Sequence, residues 1–303
     1  MVKETKILYK DFIEQQEQKD KIKEILGDGG ISFLNTSLQI VQRDKDLLKA
    51  DNESIFNAVC AIASLGLFIE PSFGHAYIGH YKEKIGLVWH TRAQFQMGWK
   101  GFVALGTKTG LYKKIHADKV VQGEYVGADR MTGDFEFDWK FGNDERNKLP
   151  IIGFVAYFEL MGGMSKNTYM TITEMNNHAK EYSKTFKEKE GDWHKNYDKM
   201  GKKTVLKLLL DKFAPKSSEM QRAIRYDQAI IGNDGSLNYA DNPATKTKLT
   251  LEESNQQQLK KRTFDFIKNS KTLEQLEGCF EAIDGEEMLE AYETKKKELK
   301  SKK

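Results

Sequence analysis

The sequence predicts an α+β fold: a small, mostly antiparallel sheet with hairpins, flanked by helices, and a small helical appendage at the C-terminal end. Three observations predict it. The middle of the chain, from His75 to Ile172, carries short runs rich in β-branched and aromatic residues, separated by glycines and charged turns. Both flanks of that region carry apolar residues at helical spacing. A polar stretch opening with Gly232-Asn233-Asp234-Gly235-Ser236 and running to about Thr250 reads as a linker.

Residues 3–26 form a charged helical pattern with Ile7, Leu8, Phe12, Ile22, Ile25 and Leu26 as its apolar positions, and Gly27, Gly29 and Gly30 end it. A second helical stretch follows to about Ala50. Asp51-Asn52-Glu53-Ser54 offers an N-cap to a helix with Ile55, Val59 and Ile62 on one face, and Gly66 is its stop. His75–Tyr81 and Ile85–His90 read as strands around a turn at Lys82-Glu83-Lys84, followed by a helix from Thr91 or Arg92 through Leu105. Tyr112–Gly123 and Phe135–Phe141 are strand-like, and Ile151–Leu160 pairs with Thr168–Ile172 across Gly162-Gly163. Helices return at Thr173 to about Lys187, Tyr197–Phe213 and Ser218–Ile231. Glu252–Lys303 reads as three short helices with Phe264, Ile267, Leu273, Leu276, Phe280, Ile283 and Leu289 as a small core.

Composition bounds the function classes. The 303 residues are long enough to bury a core without staples, and 31% charged residues give a soluble, polar surface. No apolar run approaches the length of a membrane-spanning helix, and Met1-Val2-Lys3-Glu4-Thr5 leads into charged sequence instead of a signal core. Cys60 and Cys279 alone make neither a disulfide framework nor a zinc cluster, so a reducing cytoplasm is expected. The 48 basic and 45 acidic residues nearly cancel, yet their distribution is uneven. Trp193–Arg225 holds nine Lys/Arg against three Asp/Glu, whereas Thr250–Thr294 holds five against eleven.

Candidate chemistry narrows quickly. Gly101 to Thr109 almost spells a phosphate loop, but Thr107 separates Gly106 from Lys108, and these glycines sit in a helical pattern that packing explains. Gly201-Lys202-Lys203-Thr204 lacks the earlier partner glycine. Asp138-Trp139-Lys140, with Asp118 or Asp129 upstream, resembles the end of a metal-nuclease motif, where carboxylates hold a divalent cation and a lysine sits beside the attacking water. The strict alternation Asp134, Glu136, Asp138, Lys140 equally describes a solvated strand face. His75, His80, His90, His116, His178 and His194 show no helical metal-ligand spacing. No metal site and no cofactor is expected.

Cations beside aromatics are the stronger pattern. Trp99-Lys100, Lys108 and Tyr112-Lys113-Lys114 place them side by side, and His75, Tyr77 and Tyr81 alternate along one strand face. Lys199, Lys202, Lys203 and Lys207 cover one side of a helix, although Leu206 and Leu210 fall in the same arc; Lys212, Lys216, Arg222 and Arg225 extend the positive region. Cations neutralise phosphates and rings accept stacked bases. From residues alone, this stops at a basic groove.

Four stretches, in order and with fitting spacing, resemble the RecT family of phage single-strand annealing proteins. Ile55–Pro71 looks like the helix that ends in a "LGLxxxP"-like turn, Gly74-His75-Ala76-Tyr77-Ile78 is close to "GHAYL", and Ala93–Gly101 matches "AQLQIGYKG". Trp193–Lys207, with Tyr197, Met200, Lys202, Lys203, Thr204 and Val205, resembles "W…YxxMxxKTxxRxL". The resemblance covers about residues 50–230. Phe95, Met97 and Trp99 are conservative departures; Lys207 stands near a family arginine and would weaken bidentate phosphate contact.

The resemblance implies the single-strand annealing core shared with Red-beta-like proteins. It implies a protein that catalyses no bond chemistry, coats single-stranded DNA left by a partner 5′→3′ exonuclease, pairs it with a complement without ATP, and assembles into rings or helical filaments. The expected phosphate contacts are Arg92, Lys100, Lys113, Lys114, Lys199, Lys202, Lys203 and Lys207, extended by Arg222 and Arg225. His75, Tyr77, Gln94, Gln96 and Trp99 are the candidates for stacking or polar contact with bases. Residues 1–50 are the expected assembly region, 51–231 the DNA-binding and annealing core, 232–250 a linker and 251–303 a partner-binding domain for the exonuclease or the host single-strand binding protein. The competing readings are a nuclease around Asp138 and Lys140, and a DNA-coating protein without annealing activity.

Overall fold

A computed structural model describes residues 7–85, 88–187, 189, 191–239, 267, 270 and 286–301. The fold is α+β, with small antiparallel sheets flanked by helices. Two compact units divide the chain, Met1–Pro243 and Ala244–Lys303. No helix among the described residues is long and apolar enough to cross a membrane.

In the first unit, α1 (Tyr9–Ile13), α2 (Gln16–Leu26) and α3 (Gly30–Arg43) precede α4 (Asn52–Ser64). The first predicted helix is thus split at Glu14-Gln15, and the second ends at Arg43, short of Ala50. Asp51 caps α4 by accepting from the Ser54 amide at 2.9 Å. Gly66, at φ +60°, ends it: its amide reaches the Ala63 carbonyl and that of Leu67 the Ile62 carbonyl, the paired closure that a left-handed residue permits. Every residue of α4 from Ser54 to Ala63 is buried, so this helix is the axis of the core. Ile22, Leu34 and Val41 of the N-terminal helices belong to the same apolar cluster.

β1 (Ala76–Ile85) and β2 (Val88–Met97) form a ten-residue antiparallel hairpin. This corrects two expectations. Lys82, Glu83 and Lys84 are not a turn but pair with Thr91, His90 and Trp89, and the residues after Thr91 continue as strand. The reason is a period of two: Ala93, Phe95 and Met97 are buried, while Arg92, Gln94 and Gln96 occupy the other face. Helix α5 therefore begins only at Trp99 and runs to Lys108. Gly98 and Gly101 make that junction. A Cβ at Gly98 would lie 2.0 Å from the Gly74 carbonyl oxygen, and one at Gly101 2.1 Å from that of His75. Packing, not phosphate binding, accounts for the glycines that open the near-miss loop.

β3 (Tyr112–Val121), β6 (Ile151–Leu160) and β7 (Ser165–Thr171) form a three-stranded sheet in the order β3-β6-β7, with β6–β7 the predicted hairpin. Phe154, Ala156 and Phe158 point to the core, where α10 (Tyr197–Phe213) crosses all three strands and meets α5. The α10 bounds are those the sequence predicts. Gly201 lies so close to Phe154 that a Cβ would sit 2.5 Å from its ring. The opposite face of the sheet carries His116, Asp118, Val155, Tyr157, Asn167 and Tyr169, since residues paired across strands share a face. A flap covers part of it, built from β4 (Tyr125–Ala128) and β5 (Phe135–Phe137). β5 stops at Phe137, four residues short of the expectation. A single helical turn, α6 (Asn143–Arg146), follows the flap.

After β7 come α7 (Ile172–Tyr182), the short α8 (Lys184–Lys187) and α9 (Asp192–Lys195), then α10 and α11 (Ser218–Tyr226). Thr171 and Glu174 close a capping box on α7. α11 ends at Tyr226, earlier than predicted, because the chain then pairs with β2: the Gln228 amide donates to the Phe95 carbonyl, and the Phe95 amide donates to the Ala229 carbonyl. Gly232–Ser236, expected to open a linker, is instead the turn between β8 (Ile230–Ile231) and β9 (Leu237–Asn238). Residues 240–250 of that predicted linker lie outside the described residues, as do Phe264, Leu273, Leu276, Phe280 and Ile283. In the second unit the helix Glu286–Ser301 contributes Tyr292, which packs with Ile267, Ala291 and Leu299.

One polar junction is buried in the first unit. Asp227, at the end of α11, accepts from Lys203 at 2.7 Å, Lys207 at 2.8 Å and the Met97 amide at 3.0 Å. Burial pushes its carboxyl up, but Lys203 and Lys207 outweigh this and hold it at about 2. A carboxyl depressed in the folded state stabilises above its unfolded pKa of 3.8 and loses that contribution as pH falls toward 2. Asp227→Ala leaves two cations without their carboxylate and should cost about 3–5 kcal/mol at pH 7. The wild-type and variant stabilities should converge as pH falls from 3.8 to 2, measured by denaturant unfolding across that window. Separately, Gly101→Ala should destabilise the fold by roughly 1–3 kcal/mol through overpacking, read as a melting midpoint lowered by several degrees.

Candidate nucleic-acid interface

The junction between β1 and α5 brings three of the predicted contact residues together. His75, Trp99 and Lys100 line an open cavity of about 600 Å³, joined by Lys108, Ile115 and His116. The local geometry follows from the glycine packing: the α5 N-terminus is drawn onto the His75 carbonyl, and the Gly98 amide donates to it at 2.8 Å. Lys100 and Lys108 fall eight residues apart on α5, close to two helical turns, and so share a face.

An aromatic rim adjoins the cavity. Phe68 and Phe73, 56% and 49% exposed, stack at 4.7 Å, and His75 lies 5.5 Å from Phe68. Burial first, and then Lys108 and Lys100, pushes the His75 imidazole below its ordinary pKa, which favours a neutral ring. Its Nδ1 is buried without a hydrogen-bond partner among the described residues. On the far side Trp99 meets His116 edge-on at 6.2 Å, and the Lys202 ammonium lies over its ring at 5.8 Å. The lining residues thus offer cations and flat rings, and none is a carboxylate.

The remaining candidates are placed elsewhere. Lys203 is corrected from a surface cation to a core ion-pair partner: its side chain is 7% exposed and bound to Asp227, with Leu206 and Leu210 buried on the same helix. Lys207 shares that carboxylate. Lys202 is held by Asp118 at 3.0 Å and Asp198 at 3.3 Å. Lys113 and Lys114 both reach Glu159, at 2.6 and 3.3 Å, so that exposed pair carries one net charge. Lys199 is exposed in the first turn of α10. Gln94 is also corrected: it is buried, donates to the Gln228 carbonyl and accepts from Gln96 at 3.4 Å. Tyr77 pairs with Gln96 across the hairpin, and Arg92 pairs with Tyr81. Burial and the nearby Asp192 raise the Tyr77 phenol. Arg222 pairs with Glu219 at 3.5 Å, and Arg225 is exposed on α11.

The nuclease arrangement does not assemble. Asp138 lies beyond β5 and pairs with Lys140 at 3.3 Å. Asp118 is turned to Arg146 and Lys202. Among the described residues, one group of three could ligate a metal ion: Asp44, Asp46 and His80. Asp138 is not in it, and Lys49 and Lys82 already sit 3.6 and 3.7 Å from Asp46.

Phe68, Phe73 and His116 escaped the sequence reading as site residues. Two phenylalanines in a turn that ends in Pro71 and Gly74 were a usable signal, because such a loop has little core to bury them in. His116 carried none, since only the packing of α5 against β3 puts it beside Trp99.

Comparison with known proteins bears on this geometry. A protein of Bacillus subtilis (strain 168), described as uncharacterized protein YqaK, is 33% identical over 204 residues, 67% of this chain and 66% of its own length. Protein RecT of Escherichia coli (strain K12) is 27% identical over 189 residues, 59% of this chain and 64% of its own length. The matched stretch therefore spans just under two thirds of each relative. The model of the RecT family matches residues 32–242, a span that holds α4, the β1–β2 hairpin, the cavity and the Asp227 junction. The chain belongs to the RecT family.

Proposed function

We propose that this chain is an ATP-independent single-strand DNA annealing protein of homologous recombination. One observation carries the reading: the family-matched segments around His75, Trp99 and Lys100 converge on one open cavity whose lining joins cations to the half-buried rings of His75 and Trp99 and holds no carboxylate. A strand's phosphates meet Lys100 and Lys108 in the cavity, with Lys199, Arg92, Arg225 and the net charge of the Lys113–Lys114 pair outside it. Its bases meet His75 and Trp99. Contacts of this kind are indifferent to sequence, so complementarity is left to base pairing.

Annealing two polyanions requires screening their repulsion and holding each strand free of hairpins. A positive track continued from protomer to protomer would do both. On this reading the chain works as an oligomer, a ring or helical filament, with residues 1–50 contributing to assembly. Within the segment 251–303, residues up to Thr294 carry eleven carboxylates against five cations and repel phosphate; the segment instead recruits a protein partner, the exonuclease or the host single-strand binding protein, in the bacterial cytoplasm. ATP has no role in this scheme; Gly101 to Lys108 lies within α5 and is no phosphate loop, which supports that.

The test mixes two complementary fluorescent oligonucleotides with the purified protein, without ATP or divalent metal. Pairing should be faster than in the protein-free control, and the strands should stay intact. Lys100→Ala with Lys108→Ala should slow protein-assisted pairing by about tenfold or more, as two phosphate contacts are lost. Tight binding without acceleration would leave a coating protein; cleavage that needs a metal ion would leave a nuclease.

A further inference from the structure

A second recess, of about 460 Å³, lies on the outer face of the sheet beneath the β4–β5 flap. His116 lines both this recess and the cationic cavity, so the two adjoin. Their chemistry differs. The recess is walled by Phe137, Trp139 and Phe141 from the flap and the residues after it, and by Tyr157 from the sheet. Trp139 is 51% exposed; it stacks on Phe137 at 5.1 Å and 26°.

Its charges cancel. Arg146 donates to Glu124 at 2.6 Å, to Asp118 at 3.0 Å and to the Lys119 carbonyl at 2.6 Å, and its guanidinium lies 5.5 Å from the Trp139 ring. Glu124 is wholly buried, and Asp118 also holds Lys202. A phosphate entering here would meet carboxylates whose counter-cations are already engaged. A flat heteroaromatic ring would meet stacking surfaces and, at its edge, the Tyr157 hydroxyl, an acceptor suited to ring N–H and amino groups. Asn167 fixes the flap by bonding both the amide and the carbonyl of Phe135 at 2.8 Å, so this wall is built into the fold.

We infer that the recess under the β4–β5 flap is a nucleobase pocket, which takes one unstacked base of a single strand whose phosphates lie on the cationic side of His116. The inference rests on the single-strand reading above and deepens it. The strand is gripped on two chemically distinct sides, backbone on Lys100 and Lys108, base on Trp139.

The experiment measures affinity of the full-length protein for a fluorescent single strand and for an abasic strand of equal length. Wild type should prefer the base-bearing strand. Trp139→Ala should weaken that strand about 5- to 100-fold, the range for one lost stacking contact. It should leave both the abasic affinity and the salt dependence unchanged. Trp139→Phe should keep most of the affinity, and a melting curve for each variant reads the fold separately. Unchanged binding of the base-bearing strand by Trp139→Ala, or an equal loss on both strands, would overturn the pocket. Equal wild-type affinity for the two strands would overturn it too, together with the base contacts at His75 and Trp99, while leaving single-strand binding through the phosphates intact. Binding of neither strand would defeat that reading itself.

Discussion

Asp227 is a carboxylate enclosed by protein, and three parts of the fold converge on it. It takes Lys203 and Lys207 from α10, closes α11, and accepts the backbone amide of Met97 at the end of β2. Such a group is tolerated inside a protein when it is paired with cations and hydrogen-bonded. The constraint runs outward from there. Met97 lies one residue before Gly98, where the chain turns off the hairpin into α5, and α5 carries Trp99, Lys100 and Lys108. The Gly98 and Gly101 contacts with Gly74 and His75 complete the corner. The cationic cavity is thus positioned by a buried ion pair on one side and by the absence of two side chains on the other.

The same pairing redistributes the charge. The helix with most of the basic residues in its sequence is the one whose lysines are most occupied: Lys202 by Asp118 and Asp198, Lys203 and Lys207 by Asp227. The cations that line the open cavity come from α5, which is less basic in sequence. An anion-binding surface is defined by which cations lack an internal carboxylate, and β3, α11 and the sheet supply those carboxylates from distant points in the chain. Between the two recesses, His116 marks where an acid-free lining gives way to one in which Asp118 and Glu124 outnumber Arg146.

Much of the fold was legible in the sequence because it is written locally. The bounds of α10, the Asp51 cap, the Gly66 stop and the β6–β7 hairpin each rest on neighbours within a few residues. β2 was misread as helix because the alternation of Ala93, Phe95 and Met97 runs straight into an amphipathic helix at Trp99, and one glycine marks the boundary. In Asp134–Lys140 the alternation points to the polar half of the strand, whereas its aromatic half does the packing: Phe135 and Phe137 face Tyr169, and Trp139 stacks on Phe137. The family motifs located His75, Trp99 and Lys100 together, yet no local pattern could show that Lys203 and Gln94 are consumed by partners near residue 228.

The salt dependence of single-strand binding bears most directly on the claim that Lys100 and Lys108 carry a phosphate track. Each lost phosphate contact removes about 0.7 from the slope of log affinity against log salt on single strands. The account predicts a wild-type slope of about −2 to −3 per protomer, falling in magnitude by about 1.4 when Lys100 and Lys108 are both alanine. A wild-type slope near zero, or one unchanged in the double variant, would contradict it.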